Sequence, residues 1–157
     1  MTEQNADEQW SMVLDDQMCF ALYAASRAVT ALYRPVLDAL GLTYPQYLVL
    51  LVLWDRGSAP VKDLGTALQL DYGTLTPLLK RLEQRGLLTR ERRPDDERSV
   101  LITLTEQGGA LREKAAAVPR FIGNAMGLEQ SEFEQLRASL RCLTANVTRA
   151  AAGEGER

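Results

Sequence analysis

Cys19 is a residue that could carry out chemistry, because a deprotonated thiol is a nucleophile that peroxides oxidise. It lies in the first turn or two of a predicted long helix, where the helix dipole favours an anion. Tyr23 and Tyr33 follow on nearly the same face, and their hydroxyls could stabilise a thiolate. Tyr33 lies about 21 Å farther along a straight helix, so it could reach Cys19 only from an antiparallel second chain. The alternative is that Cys19 is a small buried apolar side chain, the commoner role of a cytosolic cysteine.

Cys142 is the second of the two cysteines in the chain. It lies beside the apolar stripe of the last predicted helix rather than within it. It could act as a resolving thiol for Cys19, or it could be incidental. Because no spacing in the sequence brings the two thiols together, we favour an incidental cysteine.

A second group of side chains is suited to binding DNA. Asp71 is the predicted cap of a helix whose exposed face offers Tyr72, Thr74, Thr76, Lys80, Arg81 and Arg85. Hydroxyl groups near a helix start can reach base edges or phosphates, and the later cations can hold phosphates. Residues 80–98 contain seven basic and five acidic side chains, whereas the whole chain has a net charge of −3. This local surplus favours a DNA-binding surface over the alternative, a solvated helix and hairpin of mixed charge.

Asp96 and Arg98 fall at the end of a predicted hairpin turn. An aspartate two residues before an arginine can orient the guanidinium group toward a DNA groove. The alternative is a surface ion pair, which contributes little to stability.

The composition excludes several classes of protein. The 157 residues include no histidine, so a Ser-His-Asp triad, a Cys-His dyad and a histidine-ligated zinc site are impossible. We therefore expect no enzyme activity, no cofactor and no metal. The first ten residues are acidic and polar, unlike a signal peptide, and the most apolar run, residues 47–54, is too short to cross a membrane. The sequence thus predicts a cytoplasmic protein without a membrane partner.

The first part of the chain shows helical periodicity. Apolar residues recur every three or four positions over residues 14–40, which predicts one long amphipathic helix that Pro35 ends or bends. Thr43 and Gln46 have the spacing of a capping box, so a second helix, largely buried, should run to about Trp54.

The middle of the chain predicts a helix-turn-helix followed by a hairpin. A loop at 55–58 precedes a short helix at 61–68, a tight turn at 69–70 and the helix that Asp71 caps and Gly86 ends. Alternation with a period of two predicts strands at 87–92 and 100–105, on either side of a polar turn at 93–97.

Two further helices are predicted after the hairpin. Thr105 should cap a helix that runs to about Met126 with a bend at Pro119. Ser131 and Glu134 have capping-box spacing and should begin the last helix.

The predicted fold is mainly α with a small β-hairpin wing, a winged helix-turn-helix flanked by N- and C-terminal dimerisation helices. We expect a single domain over residues 1–157, with dimerisation helices at 14–40 and 106–150 and the winged helix-turn-helix at 55–105. The flanking helices carry apolar stripes that the small middle cannot cover, so a second copy of the chain should cover them.

Four segments together resemble a known family. They are QMCFALY at 17–23, LTYPQY at 42–47, GTLTPLLKR at 73–81 and DERSV at 96–100. The chain resembles the MarR family of winged-helix repressors over residues 14–147, and specifically its organic-hydroperoxide sensors of the OhrR type. The third and fourth segments are general to much of the family, whereas the early cysteine with the TYPQY segment singles out the hydroperoxide sensors.

The resemblance implies a homodimer that binds an inverted-repeat operator in double-stranded DNA when reduced. It implies that organic hydroperoxides oxidise Cys19 to a sulfenic acid, after which the DNA is released. The tyrosines that stabilise the thiolate carry over to Tyr23, Tyr33 and Tyr44, some from the second subunit. The recognition-helix contacts carry over to Thr74, Thr76 and Arg81, and the wing contact carries over to Arg98 with Asp96 beside it.

The sequence departs from the family pattern at two places. Tyr72 stands where related sensors often have serine, which could alter operator contacts. Residues 121–127 lack the resolving cysteine of some relatives, and the second cysteine lies deeper, at Cys142. Oxidised Cys19 could therefore form a disulfide with Cys142 or a mixed disulfide with a small thiol.

Other functions stay open on the sequence alone. One is a MarR-type repressor that a phenolic or other small ligand releases without covalent chemistry. The others are a thiol peroxidase, against which the absence of histidine argues, and a purely structural dimerisation module.

Overall fold

The computed structural model describes residues 11–93 and 96–154, apart from the side chains of residues 93–98 and 154. Its first long helix, α1, spans Met18–Asp38, after a short 3-10 turn at Leu14–Asp16 and an extended Gln17. The prediction that Pro35 could end this helix was wrong. Proline here removes a backbone hydrogen bond only near the terminus, and the buried Leu37 holds the last turn in place.

Helix α2 spans Tyr44–Arg56 and supplies the centre of the core. The predicted capping box is present: the Thr43 N–H donates to Gln46 Oε1 at 3.0 Å, and the Gln46 N–H donates to Thr43 Oγ1 at 3.4 Å. Gln46 is itself buried, and the buried apolar side chains of the helix are Tyr47, Val49, Leu50 and Leu53. The prediction of a largely buried helix is thus correct for these five residues, whereas Leu51 is 40% exposed.

The helix-turn-helix consists of α3, Val61–Leu68, and α4, Tyr72–Gln84. Between them Gln69 adopts a left-handed conformation, with φ of 54°. Asp71 caps α4 as predicted, because its carboxylate accepts the Thr74 N–H at 2.8 Å. The inward face of the pair is apolar and buried through Leu64, Leu75, Leu79 and Leu82.

The sheet has three antiparallel strands rather than the two of the predicted hairpin. Strands β1, Ser58–Pro60, β2, Leu88–Arg93, and β3, Asp96–Leu104, lie in the order β1-β3-β2. The residues predicted as a loop before α3 thus divide between the end of α2, the cap at Gly57 and the start of β1. A three-residue strand shows no periodicity of its own, and pairing of Ser58 with the distant Thr103 defines it.

The hairpin itself is longer than predicted. Residue 96 already belongs to β3, and a register irregularity falls between Arg92 and Arg93. The centre of the predicted turn, residues 94–95, lies outside the described residues.

Helix α5, Glu106–Ala115, begins at the predicted cap, where Thr105 Oγ1 accepts the Gly108 N–H at 3.0 Å. A single helix to Met126 was wrong, because the helix stops before Ala116 and α6 spans Val118–Met126. Pro119 lies in the first turn of α6, where its missing N–H costs no hydrogen bond. Proline therefore starts a new helix here rather than bending one.

The chain divides into two compact units, Met1–Val118 and Pro119–Arg157. The second unit contains most of α6 and the long helix α7, Gln130–Glu154. The predicted cap at Ser131 was wrong, since Ser131 lies inside α7. The Glu129 N–H instead donates to the Glu132 carboxylate at 2.9 Å. The capping pair is therefore 129 and 132, two residues before the predicted pair. Within the described ranges, no helix combines the length and apolarity needed to cross a bilayer.

Candidate redox site and DNA-binding surface

Cys19 is a free, exposed thiol in the first turn of α1. The first backbone N–H groups of a helix have no partner within it and create its positive end. Neighbouring apolar side chains are also exposed, with Met18 at 68% and Phe20 at 39%. The thiol therefore lies on an apolar surface that a single chain leaves uncovered.

Tyr23 lies one turn beyond Cys19 and interacts with Arg27. The Arg27 guanidinium carbon is 5.4 Å from the centre of the Tyr23 ring, and Arg27 Nη1 donates to the Tyr23 hydroxyl at 3.4 Å. The Tyr23 hydroxyl accepts this bond, so its own proton is still available for donation.

Tyr33 and Tyr44 form an aromatic pair between α1 and α2. Their ring centroids are 4.6 Å apart, and Tyr47 adds a third ring 5.8 Å from Tyr33. Burial, and then the neighbouring Tyr44 and Tyr47, raise the pKa of Tyr33 to about 12. Burial also raises the pKa of Tyr44. Both hydroxyls therefore stay protonated at neutral pH and can donate hydrogen bonds.

Tyr47 belongs to this cluster but was not among the predicted site residues. It is buried and also contacts Trp54, at a centroid distance of 6.1 Å. The signal was present in the sequence, because Tyr44 and Tyr47 are three residues apart and so share one face of a helix.

The tyrosine cluster and Cys19 lie at opposite ends of α1. The helix is continuous from Met18 to Asp38, so the fourteen steps along the chain from Cys19 to Tyr33 correspond to about 21 Å. Within one chain, Tyr33 and Tyr44 lie together near the end of α1. Cys19 and Tyr23 lie near its start, too far away for contact with that pair.

The start of α4 presents oxygen acceptors rather than free hydroxyl donors. Thr74 donates both its N–H and its hydroxyl to the Asp71 carboxylate, at 2.8 and 2.9 Å. These two bonds are the largest causes of the lowered pKa of Asp71. The Thr76 hydroxyl donates to the Tyr72 carbonyl at 2.8 Å. Each threonine oxygen keeps a lone pair that could accept from a base amino group in the major groove.

Tyr72 is the most prominent side chain at this end of α4, with 66% of its surface exposed. Lys80 and Arg81 are also exposed, farther along the helix. Arg85 is different, since its guanidinium donates to the carbonyls of Leu40, at 3.2 Å, and Gly41. Lys80, Arg81 and Arg85 are thus all exposed, but the Arg85 guanidinium is engaged by two protein carbonyls.

Arg90 also has an internal partner. Its Nε donates to Glu83 Oε2 at 2.8 Å, and its backbone N–H donates to Glu83 Oε1 at 3.2 Å. This ion pair ties β2 to α4. It neutralises one of the seven basic side chains counted in the sequence, so the local surplus rests on the others.

The wing residues Asp96 and Arg98 lie on β3, and their side chains are outside the described residues. Their predicted orientation toward a groove stays a prediction.

Cys142 is an exposed free thiol on α7. Asn146, one turn later, donates weakly to its sulfur at 3.7 Å. In the part of the chain that is described, no group of three or more His, Cys, Asp or Glu side chains is placed to hold a metal ion.

Comparisons with known proteins identify the family of the chain. Residues 42–100 match the family model for the MarR family. The organic hydroperoxide resistance transcriptional regulator of Bacillus subtilis (strain 168) is 54% identical over 126 residues, which cover 80% of this chain and 84% of the relative. The chain belongs to the MarR family. It is therefore a transcriptional regulator rather than an enzyme, as the sequence predicted.

Solved structures of MarR-family proteins share the fold. One is reduced AbfR of Staphylococcus epidermidis bound to DNA. It is 35% identical to this chain with a TM-score of 0.74, and the match covers 96% of this chain and 99% of AbfR. A disulfide-formed AbfR is 36% identical with a TM-score of 0.61, over 94% of this chain and 98% of AbfR. The prediction of a mainly α winged-helix fold is confirmed, and the likeness to a DNA-bound regulator supports DNA binding.

Proposed function

We propose that this MarR-family regulator is a homodimeric repressor whose operator is released when an organic hydroperoxide oxidises Cys19. The observation that carries the proposal is the position of the tyrosine pair. Tyr33 and Tyr44 offer two protonated hydroxyls at one end of α1, and the exposed thiol occupies the other end. A second copy running antiparallel would bring each pair to the thiol of the other copy.

The exposed apolar surface supports such a dimer. Met18, Phe20 and Tyr23 are all exposed around the thiol. Within its own unit, α7 exposes a further apolar row. Its members are Leu136, Leu140, Leu143 and Val147. We propose that residues 14–40 and 106–150 form the dimer contacts and that residues 55–105 bind DNA.

The redox step needs only the thiol and the hydroperoxide. The Cys19 thiolate attacks the terminal peroxide oxygen, so that a sulfur–oxygen bond forms while the oxygen–oxygen bond breaks. Sulfur loses two electrons, the peroxide gains them, and the alkoxide leaves as an alcohol after taking a proton. Neutral tyrosine hydroxyls would stabilise the thiolate before this step and the sulfenate after it. The sulfenic acid could then condense with Cys142 or a small thiol, forming a disulfide and water.

The DNA-binding half of the proposal rests on α4. In a helix-turn-helix dimer the two recognition helices must enter successive major grooves, roughly 34–36 Å apart. Tyr72, Thr74 and Thr76 would meet base edges there, and Lys80 and Arg81 would hold phosphates. We propose that Arg98, with Asp96, reaches the adjoining groove from the wing. Because such a regulator acts on the chromosome, we propose a cytoplasmic location.

The test measures DNA binding during titration with cumene hydroperoxide. The probe is a labelled duplex that the reduced wild-type protein selects from a random-sequence pool. We expect the wild type and the matched control Cys142→Ser to lose the probe, and Cys19→Ser to retain it. Release of the Cys19→Ser variant at the wild-type dose would mean that another group is the sensor.

A second candidate function is release by a non-covalent ligand, and a cleft favours it. The cleft has a volume of about 660 Å³ and lies between α3, the start of α4 and β3, with Lys62, Gln69, Tyr72 and Ser99 among its lining residues. A small aromatic acid would fit within the cleft, where its carboxylate could pair with the Lys62 ammonium. Release that a reductant does not reverse, and that Cys19→Ser does not abolish, would select this function.

A further inference from the structure

Arg85 joins the C-terminal end of α4, the recognition helix, to the turn that follows α1, the helix that carries Cys19. It follows α4 as its C-terminal cap residue, and its guanidinium reaches back across 44 positions to Gly41. Nη1 donates to the Gly41 carbonyl, and Nη2 donates to the Leu40 carbonyl at 3.2 Å. A Cβ atom on Gly41 would lie 2.9 Å from Nη2, so the guanidinium lies directly against this glycine.

The two carbonyls follow the last turn of α1, which ends at Asp38. The final carbonyls of a helix carry the negative end of its dipole and lack partners within it, so a cation that donates to neighbouring carbonyls is favourable. The planar fork of arginine can donate to two acceptors at once, which a lysine ammonium does less specifically. Helices α1 and α4 each pack against α2, and Arg85 adds a contact that bypasses α2.

The position of Arg85 argues against its predicted role as a phosphate contact. It lies thirteen residues beyond Tyr72, which is about 20 Å along α4 from the end that would enter the groove. Its two terminal nitrogens are also engaged by protein carbonyls. Arg85 is exposed, as are Lys80 and Arg81 on the body of the helix, so its two carbonyl bonds and not burial set it apart.

We propose that Arg85 is a positioning residue that clamps the recognition helix to the end of the Cys19 helix. The inference rests on the proposed function for its redox consequence, but the effect on DNA binding is independent of it. When Arg85 is bonded to the Leu40 and Gly41 carbonyls, the orientation of α4 is set relative to α1. A displacement of α1 on oxidation would therefore move α4 directly, rather than only through repacking of α2.

The experiment compares Arg85→Ala and Arg85→Lys with Lys80→Ala, which represents loss of a phosphate contact. Binding of reduced protein to the selected duplex is measured over a series of salt concentrations. We expect Arg85→Ala to weaken binding about 2- to 30-fold at every salt concentration, the range seen for residues that couple two sites. The slope of log affinity against log salt should stay at the wild-type value, whereas Lys80→Ala should reduce it by about 1.

Arg85→Lys keeps the charge and loses the fork, so we expect an affinity between those of Arg85→Ala and the wild type. A slope reduced by about 1 in Arg85→Ala, or full recovery by Arg85→Lys, would identify Arg85 as a phosphate contact and overturn the proposal. Unchanged affinity in Arg85→Ala would overturn it as well.

The same variants are then oxidised with cumene hydroperoxide. If Arg85 transmits the displacement of α1, the ratio of reduced to oxidised affinity should be smaller in Arg85→Ala than in the wild type. A merely structural role would lower the unfolding midpoint and leave that ratio unchanged, which would contradict the clamp. If the wild type is not released at all, the redox proposal fails, and the salt series still decides whether Arg85 positions α4.

Discussion

The ring of Tyr33 on α1 lies 4.6 Å, centroid to centroid, from the ring of Tyr44 at the start of α2. Five residues, 39–43, separate the two helices, and the capping box at Thr43 defines where α2 begins. The pair therefore depends on local structure that the sequence encodes over a short stretch. Cys19 of the same chain lies about 21 Å away on α1, so the pair could donate hydrogen bonds only to the Cys19 thiol of a second copy.

The raised pKa of Tyr33, about 12, predicts a loss of stability at high pH. A tyrosine with a folded-state pKa above its unfolded value of about 10 stabilises the protein fully below pH 10, and this contribution is lost as the pH rises toward 12. After allowance for partial exposure, we expect the free energy of unfolding to fall by roughly 1–2 kcal/mol across that window. Denaturant unfolding at several pH values would measure it. Tyr33→Phe should show a flatter curve, and a curve as steep as that of the wild type would contradict the assignment.

Gly108 and Gly109 are neighbours in α5, and we expect their substitution by alanine to have opposite effects on stability. A Cβ on Gly108 would lie 2.0 Å from the Leu87 carbonyl oxygen and would disturb the bond from Trp54 Nε1 to the Gly108 carbonyl, 2.8 Å long. Gly108→Ala should therefore destabilise the protein by about 3 kcal/mol or more.

The matched control is Gly109→Ala, where the nearest atom, Leu104 Cδ2, would be 3.9 Å away. This variant should be more stable than the wild type by roughly 0.5–1 kcal/mol, because alanine favours the helix. Chemical denaturation of both variants measures the difference. Equal effects at the two positions would show that the approach of Leu87 does not matter.

Asp71 predicts acid sensitivity at the start of the recognition helix. Its lowered pKa, caused first by the Thr74 N–H and then by the Thr74 hydroxyl, means that the charged form stabilises the folded state. This contribution is present above the unfolded pKa and is lost as the pH falls through the folded value. Asp71→Asn keeps an oxygen acceptor for the cap without a titratable group, so its unfolding midpoint should depend less on pH below 5. If thermal unfolding of the two proteins responds identically to acid, the cap is not the cause.

The two thiols should differ in their products. After treatment with cumene hydroperoxide and a small thiol, we expect intact mass under non-reducing conditions to show one thiol adduct per chain. Digestion should place this adduct on Cys19. Cys142→Ser should give the same product, because no spacing in the sequence relates Cys142 to Cys19. A covalent dimer that Cys142→Ser abolishes would instead establish an intersubunit disulfide.

The sequence predicted those elements whose signals are local. The cap at Asp71, the capping box at Thr43 and the bounds of α3 all depend on side chains within four residues of one another. Strand β1 was missed because it is defined by pairing with β3, more than forty residues later. The break before α6 was missed because proline tolerates both a bend and a first turn, and the local pattern does not choose between them.

The candidate site shows the same division. Residue type and helical spacing proposed Cys19, Tyr23 and Tyr33, and the family resemblance added Tyr44. The bond from Arg85 to Leu40 and Gly41 joins distant parts of the chain, so charge alone suggested a DNA contact for this residue. The engagement of the Thr74 and Thr76 hydroxyls was likewise invisible, since either threonine could have faced solvent.

Strand β3 is supported unequally along its length. Residues 101–103 pair with a strand on each side, β1 and β2, whereas the residues nearer the turn pair with β2 alone. The base of the wing is therefore held by two neighbouring strands, and the part nearer the turn by one. Backbone amide exchange should therefore accelerate along β3 from Ile102 toward Asp96. The wing could follow the shape of a groove without loosening the core, and its tip could gain or lose residues at little cost to folding.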